Sequence, residues 1–86
     1  MRKIITIDKP FEMAKTFMVY EDGNKIAIEH YTVDDRIEKL FALIKKYEIR
    51  QIDLVGPKKY MTGIKNQIDK ANTSKFEFKD LEINII

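Results

Sequence analysis

The chain has 86 residues, of which 44% are hydrophobic and 35% are charged, and its formal net charge is +2. This length predicts a single domain over residues 1–86, and the apolar fraction excludes an intrinsically disordered chain. The absence of cysteine excludes disulfides and thiolate metal sites.

The same composition restricts the classes of partner. No apolar run approaches the about 20 residues that span a bilayer, so we expect no membrane contact. The basic and then apolar start at residues 1–7 is too short for a secretion signal, which predicts a cytoplasmic protein. The positive charge is mild and comes mostly from lysine, since Arg2, Arg36 and Arg50 are the only arginines. Base-edge contacts and bidentate phosphate contacts favour arginine over lysine. Because the chain has few arginines, sequence-specific DNA binding is disfavoured.

The first third of the chain predicts three strands. Residues 3–7 form a short apolar run that ends before a break at Pro10, because proline cannot occupy a central strand. Residues 14–21 alternate, with Phe17 and Val19 on one face and Thr16, Met18 and Tyr20 on the other. Residues 21–24 read Glu-Asp-Gly-Asn, which predicts a hairpin turn, and residues 25–31 form the returning strand.

A helix is predicted after the third strand. Thr32 and Asp35 have the spacing of a capping box, with aspartate in the place of the usual glutamate. Acidic residues lie near the start of this helix and Lys45 and Lys46 near its end, an order that suits the helix dipole. One apolar stripe at 3–4 residue spacing comprises Val33, Ile37, Leu40, Phe41, Ile44 and Tyr47.

A second strand–helix pair follows. Residues 51–55 predict a strand, Gly56 turns the corner, and Pro57 fits the first position of a helix. Gly63 weakens the first turns of this helix, so its start is expected near Thr62. Its apolar face comprises Tyr60, Ile64, Ile68 and Ala71.

The alternation within residues 51–55 predicts how the layers pack. Gln51 and Asp53 alternate with Ile52 and Leu54, whereas a strand covered on both faces should be almost wholly apolar. We therefore expect both helices on one face of the sheet, with the other face open to solvent or to a partner. A small two-layer protein without a partner on that face has the same pattern.

Residues 76–86 predict the last strand, with a bulge or break near Asp80 because the apolar phase changes there. An exposed apolar edge strand invites pairing with another chain. One hypothesis is that this edge pairs with a second copy or with a different protein. The alternative is that its isoleucines are buried against the helices of the same chain. The interface residues in the first case are Leu81, Ile83, Ile85 and Ile86.

The element order is therefore βββαβαβ, which predicts an α/β domain with a mixed sheet. This order resembles that of the ribonuclease H-like fold. The resemblance implies a metal-dependent nuclease in which Asp8, Glu38 and Asp53 hold two Mg²⁺ ions. The alternative is that Asp8 lies at a turn, Glu38 is a solvated helix residue, and Asp53 lies on the uncovered sheet face.

The start of the second helix is a candidate anion site formed by Gly56, Lys58, Lys59 and Thr62. Helix starts carry partial positive charge, yet this one has two lysines and no acidic residue until Asp69. Either a phosphate, a nucleic-acid backbone or a carboxylate docks there, or the lysines point into water.

Other residues give no catalytic pattern. His30 is the only histidine and predicts no zinc site, and the four tyrosines, which could stack on single-stranded nucleic acid, lie in different elements and suit packing at the edge of the core. We expect a small non-catalytic interaction module without cofactor, of a kind that occurs among accessory and phage-derived proteins. Its expected partners are a second protein, a second copy or a nucleic-acid backbone; the alternative function is the nuclease.

Overall fold

The computed structural model describes residues 1–7, 15–73, 78 and 80–86, and it has the predicted α/β order βββαβαβ. Pro10 lies outside the described residues. The elements are β1 Arg2–Ile7, β2 Thr16–Glu21, β3 Asn24–His30, α1 Arg36–Tyr47, β4 Gln51–Val55, α2 Lys58–Ala71 and β5 Glu82–Ile85.

The five strands form one mixed sheet in the order β3-β2-β1-β4-β5. Strand β2 runs antiparallel to both of its neighbours, while β1 pairs with β4, and β4 with β5, in parallel. The predicted hairpin joins β2 to β3 through Asp22 and Gly23, whose φ angles are 50° and 85°. Helix α1 connects β3 to β4, and α2 is the crossover between the parallel strands β4 and β5.

Both helices pack on the same face of the sheet, as the alternation in β4 predicts. The strands contribute Ile4, Val19 and Ile52 to this layer, and each of them is fully buried. Register places these three side chains next to one another on one face. The helices cover them with buried apolar side chains, namely Leu40, Phe41, Leu43, Ile44, Met61, Ile64 and Ile68.

The capping box is present, but the helix starts after it. The Thr32 backbone N–H donates to Asp35 Oδ1 (2.6 Å), and the Asp35 backbone N–H donates to Thr32 Oγ1 (3.3 Å). These bonds close a turn, and α1 begins at Arg36. Val33 therefore lies before the helix and is 59% exposed, so its prediction as part of the apolar stripe is wrong.

The predicted start of α2 near Thr62 is also wrong, because the helix begins at Lys58 and Gly63 lies inside it. Pro57 is the residue before the helix rather than its first residue. Burial of Met61 and Ile64 against the sheet stabilises this first turn more than the glycine weakens it. The Thr62 hydroxyl donates to the Lys58 carbonyl at 2.8 Å, inside the first turn.

The last strand is shorter than predicted and spans only Glu82–Ile85. Asp80 has a left-handed φ of 61°, which interrupts the extended chain at the predicted break. Phe76 lies outside the described residues. No helix in the described part of the chain is long and apolar enough to cross a membrane.

Replacing Gly63 with alanine is expected to raise the free energy of unfolding by about 0.5–1 kcal/mol. A Cβ at this helical position would meet nothing within 4 Å apart from the backbone of its own helix, so the gain in helix propensity has no steric cost. Chemical denaturation followed by circular dichroism measures the change. Gly23→Ala is the matched control and is expected to be destabilising, since φ at Gly23 is +85°. Destabilisation by Gly63→Ala would contradict the helical placement of this residue.

Candidate interaction site on the uncovered sheet face

The sheet face opposite the helices carries one continuous row of side chains across all five strands. Strand register places cross-strand neighbours in the order Ile28, Met18, Ile5, Asp53 and Asn84. The first three belong to β3, β2 and β1 and are apolar, whereas the last two belong to β4 and β5 and are polar. The uncovered face is thus divided into an apolar half and a polar half.

The apolar half is larger than a single row. We call it the open-face patch and define it as Ile5, Ile7, Met18, Tyr20, Ile28 and Val55. Ile28 is 49% exposed and Ile7 is 43% exposed, and the other four are half-buried. None of these side chains faces the helices, since their neighbours along the strands, such as Ile4 and Leu54, fill that layer. The patch therefore presents Ile7 and Ile28 to solvent, together with parts of its four half-buried side chains.

The polar half is organised by Asp53, which is only 6% exposed. Its carboxylate accepts hydrogen bonds from Gln51 Nε2 (3.0 Å), Lys3 Nζ (3.2 Å) and Asn84 Nδ2 (3.2 Å). Burial alone would raise the pKa of Asp53. The bonds from Gln51, Asn84 and Lys3, together with the lysine charge, outweigh it and hold this pKa below its ordinary value. The network joins β1, β4 and β5 and keeps Asp53 ionised.

The structure does not bring Glu38 and Asp53 together. Glu38 is an exposed residue of α1 on the helical side, while Asp53 points to the opposite side of the sheet, as expected for the uncovered face. Asp8 lies outside the described residues. Among the residues that are described, no group of three or more histidines, cysteines or carboxylates could hold a metal ion. The nuclease therefore stays a prediction that these contacts do not support.

The candidate anion site lies where β4 meets α2. Lys58, Lys59 and Thr62 are exposed, and Gly56 is half-buried at the corner. Within the described parts of the chain no side chain caps this end of α2, and its first turn holds no acidic residue. The two lysines thus border an uncapped helix start, which suits an anion. Docking of an anion there stays a prediction, because solvated lysines would have the same placement.

The predicted interface residues are distributed over both sides of the edge strand. Leu81, Ile83 and Ile85 are half-buried and pack against the core, as one of the two interpretations expects. Ile86 is 70% exposed. Strand β5 is the last strand of the sheet order, so its outer edge has no strand neighbour among the described residues.

The histidine and the tyrosines have separate environments. His30 is exposed at the end of β3. Tyr31 is buried and stacks on Phe17, with ring centroids 4.1 Å apart, and its hydroxyl lies 3.1 Å from Thr6 Oγ1. Tyr60 lies at the core edge, where its hydroxyl accepts a bond from Arg36 (3.2 Å). Only Tyr20 contributes to the uncovered face.

The open-face patch was not predicted from the sequence as a site. The alternation in β2 predicted Met18 and Tyr20 on one face, and Asp53 predicted an open face, but these local patterns do not connect Ile5 and Ile28 to that face. The signal was present, because all these strands alternate between two sets of side chains. Joining the sets required the strand order, which places β1 at the centre of the sheet. Comparison with protein-family models, with curated proteins and with solved structures finds no match to this chain.

Proposed function

We propose that this protein is a small non-catalytic interaction module that docks a partner protein on the open-face patch. The observation that carries the proposal is the exposure of large apolar side chains on the sheet face opposite the helices, with Ile28 at 49% and Ile7 at 43%. Contiguous apolar patches on small proteins commonly mark interaction sites. The patch includes residues of four neighbouring strands, which together span roughly 14 Å across the sheet.

The charges beside the patch indicate the chemistry of the partner. Lys25, Tyr20 and Lys3 are cross-strand neighbours at one end of the apolar rows. Lys25 is exposed, and Lys3 is already paired with Asp53. A fitting partner therefore presents an apolar strip with an acidic side chain at one end, where Lys25 meets it. The apolar strip supplies the affinity, and the acidic residue sets the orientation.

The element order supports, as a proposal, a ribonuclease H-like fold. It adds nothing to the nuclease alternative, since a fold does not determine the site that it carries. The interaction module needs no acidic cluster. It needs a rigid surface. The Asp53 network links the strands on the face opposite the helices, and the buried core packs against the other face of β1 and β4.

The test uses a photo-reactive amino acid at position 28 in cells that express the protein, with position 67 on the exposed side of α2 as the control. We expect a discrete adduct from position 28 and none from position 67. The partner identified by mass spectrometry is then purified, and its affinity is measured for the wild type, Ile28→Lys and Gln67→Lys.

We expect Ile28→Lys to stay folded and to raise the Kd of this partner at least about tenfold, because a lysine cannot be buried in an apolar contact without cost. Gln67→Lys should leave the Kd unchanged. The proposal fails if position 28 gives no adduct, if it captures only a second copy of this chain, or if Ile28→Lys binds as tightly as the wild type.

A further inference from the structure

The outer edge of β5 has a defined hydrogen-bonding pattern. The Glu82 backbone N–H donates to the Arg50 carbonyl at 2.8 Å, and the Ile86 backbone N–H donates to the Leu54 carbonyl at 2.9 Å. Successive residues of a strand direct their backbone groups to opposite sides, so residues 82, 84 and 86 face β4. The N–H and C=O groups of Ile83 and Ile85 therefore point outward from the sheet.

This edge lacks the features with which proteins usually prevent pairing. Residues 81–86 contain neither lysine nor proline, and Glu82 is their only charged side chain. The opposite edge of the sheet differs, since β3 carries Lys25 and its pairing with β2 is interrupted by a bulge. Of the two edge strands in the described sheet, only β5 is a regular and nearly uncharged template for another strand.

We propose that β5 pairs antiparallel with β5 of a second copy, about a two-fold axis that passes beside Asn84. Ile83 of each copy then lies opposite Ile85 of the other. Because both residues point their backbone groups outward, these two pairs are hydrogen-bonded pairs and exchange four N–H···O bonds. The two sheets join into one of ten strands, and the interface is isologous, as a two-fold axis requires.

In this register the side chains of the two β5 strands are complementary across the two-fold axis. Asn84 meets Asn84 of the second copy in the closer, non-hydrogen-bonded type of pair. One Nδ2 hydrogen of Asn84 bonds Asp53, which leaves a second hydrogen and Oδ1 for a reciprocal amide pair across the axis. On the helical side, half-buried Ile83 and Ile85 gain apolar neighbours from the second copy.

This interface is separate from the open-face patch. The axis is perpendicular to the sheet, so both patches remain on the same side of the joined sheet and both stay available. The dimer and the docking function can therefore succeed or fail independently.

The test compares Ile83→Pro with Ile83→Ala by sedimentation velocity over a range of concentrations. Both substitutions shorten the side chain, but only proline removes the outward N–H, and neither removes a bond to β4. We expect the wild type and Ile83→Ala to dimerise. Ile83→Pro should stay folded by circular dichroism and raise the dimer Kd at least about tenfold, since two of the four bonds are lost.

A second measurement does not depend on the proline variant folding. In a wild-type sample mixed from differently isotope-labelled copies, a filtered NOE experiment should show contact between the Asn84 Hα atoms of the two copies, which face each other in this pair. A wild type that stays monomeric at millimolar concentration overturns the proposal. A dimer in which folded Ile83→Pro associates as tightly as Ile83→Ala, or in which the Asn84 contact is missing, overturns it equally.

Discussion

Replacing Leu54 with alanine is expected to lower the free energy of unfolding by about 3 kcal/mol. Leu54 is fully buried on the helical side of β4. It lies beside Thr6 of β1 and Ile85 of β5 in the sheet register, so its loss leaves a cavity at the centre of the layer. Urea denaturation followed by circular dichroism measures the loss, and a chain of 86 residues has little stability to spare.

The matched control is Val55→Ala, one residue further along the same strand. Val55 points to the uncovered face and is half-buried, so its truncation should cost less than about 1 kcal/mol. Equal losses from the two substitutions would show that both faces of β4 are covered. That result would contradict the two-layer arrangement and, with it, the docking surface.

Replacing Asp53 with asparagine is expected to lower the free energy of unfolding at pH 7 by about 2 kcal/mol. The substitution keeps the shape of the side chain but removes the charge that accepts bonds from Lys3, Gln51 and Asn84. It also turns an amide NH₂ or a neutral oxygen toward the Lys3 ammonium, which is 3.2 Å from the carboxylate in the wild type. Thermal or urea unfolding at neutral pH measures the loss.

The same pair of proteins should differ in its response to acid. The pKa of Asp53 is lower in the folded protein than its ordinary value of 3.8, so the folded state binds the proton more weakly than the unfolded state. The contribution of Asp53 to stability is therefore complete above pH 5 and is lost as the pH falls below about 4 and through the folded pKa. Wild type and Asp53→Asn should converge in stability as the solution is acidified.

The difference between the two proteins, rather than the wild-type curve alone, is the quantity to measure. The pKa of Asp22 is lowered because its carboxylate accepts a hydrogen bond from the positively charged N-terminal amine. The pKa of Asp35 is lowered because its carboxylate accepts a hydrogen bond from Thr32. Both groups therefore make the stability of the protein sensitive to acid. These contributions are common to both proteins and cancel in the difference. A difference that stays constant from pH 2 to pH 7 would show that the Asp53 network does not hold the ionised carboxylate.

Much of the fold follows from local patterns that the sequence displays. Asp22 and Gly23 make the hairpin because few other residue pairs adopt positive φ without strain. The alternation of Gln51 and Asp53 with Ile52 and Leu54 predicts both helices on one face of the sheet, and the structure confirms this placement. The predicted ends of the elements were less accurate. Helix α2 begins at Lys58 and not near Thr62, because burial of Met61 outweighs the low helix propensity of Gly63.

The candidate sites depended far more on the tertiary structure. Lys3 and Asp53 are 50 positions apart, and nothing near either residue indicates that they are partners. Ile5, Met18 and Ile28 become one surface only because β1 lies between β2 and β4. The same strand order places Asp53 on the side of the sheet away from Glu38, a separation that the resemblance to ribonuclease H-like enzymes did not predict.

The sequence by itself determined the elements, their order, the turn between β2 and β3, and the single face that carries the helices. Each of these features depends on residues that are close together in the chain, within about one or two helical turns or a few strand positions. Only the tertiary structure decided which strands are neighbours, how Asp53 is satisfied, and which apolar side chains form the open-face patch. The physical reason is that these contacts join distant segments, and their energy depends on a register and a strand order that local residue preferences do not encode.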